Sequence, residues 1–483
     1  MSQQTTRVDN LLISSNFIRA VRESGYLSIS TALAELVDNS LQAAATDVAI
    51  TVSRDASDAL PEIVVEDNGI GMSEPELEHC LRFGGSSRFD ARQSFGRFGM
   101  GLPAASLSQA RRVEVTAWRR GGYESTVALD VDAIVSGTDP ALVAQRGASS
   151  ASESGCRVRW MQCDRIEYRR LAWLERSLHR DLGRIYRRFL AAGLNMTING
   201  TRVEAVDPTL LTTKVEGVTA RLAFDELQYE LETTEGDTSV VTVRFAMLPV
   251  QRWHRLDNVT KRRVGIIGGG GVSILRAGRE IASGWHLLGG KRKENYDDWW
   301  RCEIEFEPSL DEHFGITINK QGIRPSATLR EAIEPELESI ARLLNARVRQ
   351  AFEDVKFQAA AEASCRIATA ADPSLPVIAS RGRSGAIQYR LESDVLPMDA
   401  MFRSTMEQRT LSLTLNADHP AFAALYQPLQ EIEGEAAAEL RTSIELFLLS
   451  FARSAVQLEQ AGQPLIDLVQ AWSSTYGRML QKS

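Results

Sequence analysis

Glu35, Asp38, Asn39 and Gln42 recur at i, i+3, i+4 and i+7, a spacing that on a helix gathers them within an arc of roughly 100°. Leu33, Leu36, Val37, Leu41 and Ala44 take the opposite face. Glu35 and Asn39 are one turn apart, so their Cβ atoms lie ~5–6 Å from each other. An amide oxygen beside a carboxylate can hold a hard cation such as Mg²⁺ while the carboxylate orients and deprotonates a water. A solvated helix face uses the same residue types, so this helix alone leaves both readings open.

Two further stretches bear on the choice. Asp67-Asn68-Gly69-Ile70-Gly71-Met72 follows the apolar run Glu62–Glu66. An aspartate at a strand end can accept a hydrogen bond from an exocyclic amine of a base, and the glycines let backbone approach a flat ring. Taken singly it reads as a tight turn. Gly96-Arg97-Phe98-Gly99-Met100-Gly101 precedes a predicted helix from Leu102. Closely spaced glycines turn N–H groups inward, and a helix N-terminus adds partial positive charge, which together suit phosphates. The run lacks the Lys-Ser/Thr ending of a P-loop and does not follow a strand as a dinucleotide fingerprint does.

In order and spacing, Glu35–Ser40, Asp67–Met72 and Gly96–Gly101 resemble the motifs of the GHKL superfamily (gyrase, heat-shock chaperone, histidine kinase, MutL), over about residues 25–205. The resemblance implies ATP and Mg²⁺ as cofactors. It makes Glu35 the general base, Asn39 the metal ligand and Asp67 the adenine reader. Gly69, Gly71 and Met72 are then nucleotide-contacting, as are Gly96, Gly99, Met100 and Gly101 of the phosphate loop. Phe83 through Phe95 is the ATP lid, with Ser87 and Arg88 its phosphate-side polar pair. Two positions depart from the pattern: Gln42-Ala43 replaces Asp-Ala, and Gly155-Cys156 replaces a Gly-Thr near the adenine aspartate. A thiol is a poorer hydrogen-bonding group than a hydroxyl.

Histidine kinases share the fold but, by the same resemblance, lack the water-activating carboxylate and carry a histidine-bearing helix ahead of the ATP domain. Here Glu35 is present and the residues before it contain no histidine. Hydrolysis is therefore expected, with a non-hydrolysing, kinase-like regulator as an alternative. Phe314–Gln321 is similar to the transducer segment of MORC-like and MutL-like ATPases. That similarity implies that Lys320 reaches the terminal phosphate, where a point charge favours phosphoryl transfer.

The elements that must position these residues follow from periodicity. A helix is predicted over 29–45 and strands over 48–52, 62–66, 113–118 and 156–161. A basic helix is predicted over 168–192 and a hairpin at Asn199-Gly200. Strands dominate 207–306, and helix resumes over 335–357. The expected class is α+β: a Bergerat-type ATP-binding sandwich (1–205), a transducer-like domain (206–357), a linker (358–385) and a mostly helical C-terminal region (386–483).

Composition sets bounds. Hydrophobic residues make up 43% and charged residues 24%, and the net charge is −8. That balance excludes a uniformly basic nucleic-acid coat but not a local patch. The five cysteines form no C-x-x-C pair, which argues against a disulfide frame or zinc site. No apolar run approaches the ~20 residues of a bilayer span, so a cytoplasmic protein is expected. The resemblance implies an ATP-dependent homodimeric clamp or switch. Its target is DNA, a client protein as for a chaperone, or a partner it regulates, as in a defence system. Arg252, His254, Arg255, Lys261, Arg262, Arg263 and Lys291-Arg292-Lys293 could contact DNA phosphates, and apolar stripes after residue 420 suit a partner protein.

Overall fold

The computed structural model describes residues 14–26, 28–54, 60–84, 100–137, 142–149, 153–167, 170–316, 322–378, 387–396, 401–426, 428, 435–461 and 468. The chain divides between Leu344 and Asn345 into two compact units. The first unit contains two sheets, each with its own core.

The first sheet comprises β1 (Asp47–Arg54), β2 (Pro61–Asp67), β3 (Arg112–Trp118), β4 (Tyr123–Asp130), β5 (Gln145–Ser149), β6 (Gly155–Met161), β7 (Asn195–Ile198) and β8 (Thr201–Arg202). Their order is β5-β4-β3-β6-β2-β1-β7-β8. All pairings are antiparallel except β1 with β7. Alternation does the work: Val48, Ile50 and Val52 are buried while Ala49 and Thr51 are exposed. The buried face shares one core with the helices Ile29–Gln42, Gly101–Gln109 and Leu171–Ile185. The other face carries cross-strand ion pairs, Arg157–Glu66 at 2.6 Å and Arg159–Glu62 at 2.7 Å.

The Ile29–Gln42 helix starts where Ser28 Oγ accepts the Thr31 N–H at 3.2 Å, an N-cap that satisfies an orphan donor. It ends three residues short of the predicted 45, because Ala44 turns to φ 55°. The basic helix is two pieces, Leu171–Ile185 and Arg187–Ala191, broken at Tyr186. Asn199-Gly200 forms the expected hairpin, with φ of 48° and 76°.

The second sheet comprises β9 (Arg221–Leu222), β10 (Leu227–Glu232), β11 (Thr238–Met247), β12 (Val272–Arg276), β13 (Arg279–Gly284) and β14 (Trp300–Phe306). The path runs β10-β11-β14-β12-β13, with β9 on β11. Leu329, Ile333, Leu337, Ala341 and Leu344 of the helix Ala327–Ala371 close its core. This helix begins before the predicted 335 and continues to Ala371 through the first half of the stretch expected as a linker. The reason is local: 358–371 is rich in alanine, the best helix former, and Ala361, Ala368 and Ala371 are buried.

A buried ionic cluster joins the two sheets. Arg187 reaches Glu280 and Glu303, each at 2.7 Å, and the Ser273 hydroxyl at 2.9 Å. Burial pushes the Glu303 carboxyl up, but Arg187, Arg188 and Arg244 outweigh it and hold the group below its ordinary range. A carboxyl depressed in the folded state contributes stability above its unfolded pKa of ~4.3 and loses it as pH falls through the folded value. Thermal melts between pH 7 and 3 should show that loss. Glu303→Gln should flatten this part of the curve and lower stability at neutral pH by ~3 kcal/mol, since one buried partner is removed. Identical pH slopes for the two proteins would exclude this role.

The second unit also departs from expectation. The sequence leads one to expect a mostly helical region. Among the described residues, three strands are present: β15 (Gln388–Asp394), β16 (Phe402–Glu407) and β17 (Thr410–Asn416), in the order β15-β17-β16. β16 escapes sequence reading because its alternation is short and broken: Phe402 and Met406 share their face with the polar Ser404, and none of the three is fully buried. The helix Glu435–Ala461 spends its apolar stripe on its own unit, burying Leu446, Leu449, Ala452 and Val456 in that core. Leu440 and Phe447 remain exposed.

Candidate functional site

The Ile29–Gln42 helix is not a solvated surface element. From Ile29 to Ser40 only Thr31 and Asn39 escape full burial. Glu35 is 3% exposed and Asp38 is 0% exposed. The expected polar stripe is thus split: Asn39 faces a partly open space, whereas Asp38 turns into the protein.

Glu35 meets the third motif directly. A Cβ added to Gly101 would fall 2.6 Å from Glu35 Oε2. The carboxylate therefore stands against the first residue of the Gly101–Gln109 helix, with Met100 as its N-cap. The Tyr26 hydroxyl hydrogen-bonds to Glu35; burial, then the Glu35 charge, keeps that phenol protonated far beyond its ordinary range.

Asp67 closes the other end. Its Oδ2 accepts from Ser40 Oγ at 2.7 Å and its Oδ1 from the Gly69 N–H at 2.9 Å. The backbone N–H of Cys156 also donates to it. A carboxylate offers about four acceptor sites, so one is left for a ligand amine. Burial raises the Asp67 carboxyl, and the Ser40, Gly69 and Cys156 donors oppose the rise. Asp67 and Cys156 are register partners on β2 and β6. Because Cys156 uses its backbone N–H, the thiol standing where relatives have a hydroxyl costs Asp67 nothing at this bond. Burial, then the Asp67 charge, holds the thiol well above its usual value and so uncharged.

The glycines between these ends are there for space. Gly71 has φ 66°, and a Cβ on it would lie 2.0 Å from the Trp118 carbonyl oxygen. A Cβ on Gly69 would lie 2.7 Å from that of Ala43. The Ile70 N–H donates to the Ala43 carbonyl at 3.0 Å, which docks the turn on the end of the Glu35 helix. Met72 packs against the first core. Asn68 braces the turn, accepting from the Thr46 and Asp47 N–H groups, each at 2.9 Å.

A buried carboxylate, an amide oxygen one turn on, a helix N-terminus and a carboxylate at the end of a glycine-lined turn therefore share one side of the sheet. Residues 27–154 match the family of histidine kinase-, DNA gyrase B-, and HSP90-like ATPases. These residues form a GHKL-type ATPase domain. The chain is also similar to Protein MICRORCHIDIA 4 of Arabidopsis thaliana, with 28% identity over 102 residues. That similarity covers 20% of this chain and 13% of the relative's length. The GHKL domain binds ATP, and its donor set suits Mg²⁺: Asn39 offers one neutral oxygen, and a cation that keeps water and phosphate ligands needs few from protein.

Ser87, Arg88, Gly96, Gly99 and Lys320 lie outside the described residues. A groove of 610 Å³ runs over Asp47, Glu66, Trp118, Glu124 and Arg157 and reaches Asp67 and Asn68, but includes neither Glu35 nor Asn39. Sequence reading missed Tyr26, Tyr186 and Arg279 around the GHKL helix. They carry no motif, and for Tyr186 and Arg279 the sequence distance from Glu35 hides them as well. Among the described residues, no helix is long and apolar enough to cross a membrane.

Proposed function

We propose that this chain hydrolyses ATP with Mg²⁺ and couples the nucleotide cycle to DNA. The observation that carries hydrolysis is the position of Glu35, whose carboxylate abuts Gly101 at the helix N-terminus expected to receive the phosphates. A carboxylate there can take a proton from an attacking water. Asn39, one turn on, would hold the cation. Bound Mg²⁺ supplies positive charge against the phosphate oxygens. Lys320 is proposed as the residue of the second sheet's domain that senses the terminal phosphate, and dimer closure is proposed as the output.

DNA is favoured by charge on the surface of the first unit. Arg252, Arg255, Arg262 and Arg263 are exposed. Among the described residues, no ion pair engages them, while most arginines of the first sheet are matched to carboxylates. Lys261 donates to the His254 carbonyl at 2.6 Å and lies 5.9 Å from the Trp299 ring centre. Lys291 leaves the proposed surface: it is buried and paired with Asp297 at 2.7 Å. Trp253 and Trp300 are buried too, so they pack and do not stack on bases.

Turnover measured with and without duplex DNA at two salt concentrations tests both parts. Stimulation should fade as salt rises, since released counterions drive phosphate contacts. Replacing Arg252, Arg255, Arg262 and Arg263 together by Ala should weaken DNA binding at least ~10-fold and flatten its salt dependence, since each lost phosphate contact lowers the slope by ~0.9. DNA binding unchanged in that variant would exclude this surface.

A further inference from the structure

The first sheet's nucleotide helix and the second sheet meet through one buried charge. Asp38, between Glu35 and Asn39 in sequence, is 0% exposed. Its Oδ1 pairs with Arg279 Nε at 2.8 Å, and Arg279 is the first residue of β13. The Tyr186 hydroxyl lies 2.7 Å from the same oxygen and 2.6 Å from the Ala34 carbonyl, so it can donate to either. Arg279 in turn hydrogen-bonds to Tyr186. Arg279 is 4% exposed and Tyr186 is 0% exposed.

We infer that Arg279 is a positioning residue for ATP hydrolysis, which fixes the rotation of the helix carrying Glu35 and Asn39 by clamping Asp38 from the second sheet. The inference rests on the hydrolytic reading of Glu35. A helix is free to roll by small angles unless something off its axis holds it. Asp38 sits ~60° around the helix from Glu35, by the ~100° per residue of helical geometry, so a roll that moved one would move the other. Two buried side chains converge on this short stretch: Arg279 and Tyr186 on the Asp38 carboxylate, with the Tyr186 hydroxyl also within reach of the Ala34 carbonyl. A buried carboxylate with a matched guanidinium has a sharply defined place, because separating the two strands an uncompensated charge.

The clamp also acts through charge. Burial works against the Arg279 charge, yet Asp38, Tyr186 and Glu35 together hold the guanidinium firmly protonated. The cation is thus close enough to act on Glu35. Among the described residues, the charged and titratable groups gathered on this part of the helix include Tyr26 on the preceding segment, Asp38 on the helix itself, Tyr186 beyond the Leu171–Ile185 helix and Arg279 on β13. Of these, Arg279 is the cation. Its loss removes that counter-ion while the Asp38 charge stays, and a carboxylate that keeps a like charge and loses a counter-ion binds its proton more tightly. The acid limb of the pH–rate profile should move to higher pH. The same clamp makes the catalytic helix sensitive to the placement of the second sheet, whose next residue, Glu280, is held by Arg187 and Arg184.

The test compares wild type, Glu35→Gln, Arg279→Gln, Arg279→Lys and Tyr186→Phe in the full chain. Kd for ATP, kcat, KM and the pH–rate profile are measured for each. Arg279→Gln should keep its ATP Kd within ~3-fold and lose kcat by ~10–100-fold, the scale of lost outer-shell orientation and of small misplacements. Its acid limb should move up, while Arg279→Lys recovers part of kcat and restores the limb. If Arg279→Gln fails to fold, Tyr186→Phe decides the matter: it removes one hydroxyl, keeps the charge, and should lower kcat more than it raises KM. Glu35-dependent turnover that neither Arg279→Gln nor Tyr186→Phe alters, in kcat or in pH profile, overturns the inference alone. Turnover that is absent in wild type, or indifferent to Glu35→Gln, removes the hydrolytic reading and this inference with it.

Discussion

Glu35→Gln abolishes ATP turnover, by ~10²–10⁴-fold on the scale of a lost general base, while ATP still binds with near-normal affinity. The amide keeps the size of the side chain and can occupy the same space against Gly101. What it lacks is the ability to accept a proton from water. The adenine contact proposed for Asp67 should persist, because that carboxylate is held by Ser40, Gly69 and Cys156. Single-turnover hydrolysis and equilibrium nucleotide binding, measured on the same protein, separate the two effects. Wild-type turnover in the variant would assign the base elsewhere. Loss of binding together with turnover would make Glu35 a structural residue of the pocket.

Gly71→Ala unfolds or severely loosens the ATPase domain, and Gly84→Ala does not. Both glycines have positive φ, 66° and 76°. The backbone cost of placing alanine there is therefore similar, of order 1–3 kcal/mol. Their surroundings differ. A Cβ at Gly71 meets the Trp118 carbonyl oxygen at 2.0 Å and the Gly155 carbonyl oxygen at 3.2 Å, whereas at Gly84 it meets nothing within 4 Å. Trp118 and Gly155 pair on β3 and β6 at the sheet centre, so the clash is relieved only by moving the Asp67–Met72 turn off the sheet. Gly71→Ala should therefore lose at least ~3 kcal/mol in urea unfolding, in the range of severe backbone and overpacking changes, and ATP binding with it. Equal urea midpoints for the two variants would show that the turn is soft and that the glycine serves some other end.

Gly71 also shows how far sequence reading reaches. The D-x-G-x-G spacing marks a turn that needs glycine, and it marks Asp67 as a residue at a strand end. It does not name the carbonyl that excludes a side chain, since Trp118 lies far along the chain and arrives by sheet pairing. The Ala327–Ala371 helix gives the complementary lesson. Its Ala-rich end looked like a linker because alanine is common in both, and only its burial against the second unit's core distinguishes them. The β15-β17-β16 sheet was half legible for the same reason: β17 alternates strongly, while β16 is recognisable as a strand only from the partner it pairs with.

By itself the sequence determined the ATP-binding chemistry of the first domain. Motif residue types and their local spacing encode Glu35, Asn39 and Asp67, and the periods of alternation and of the helix encode the elements that carry them. The tertiary structure alone decided what Asp38 does. In sequence it belonged with Glu35, Asn39 and Gln42 on a polar face. In the fold it is buried against Tyr186 and Arg279, residues far along the chain. A carboxylate's role depends on the charge it faces and on whether water reaches it. Both are set by which distant segments pack together, a quantity that no local spacing contains.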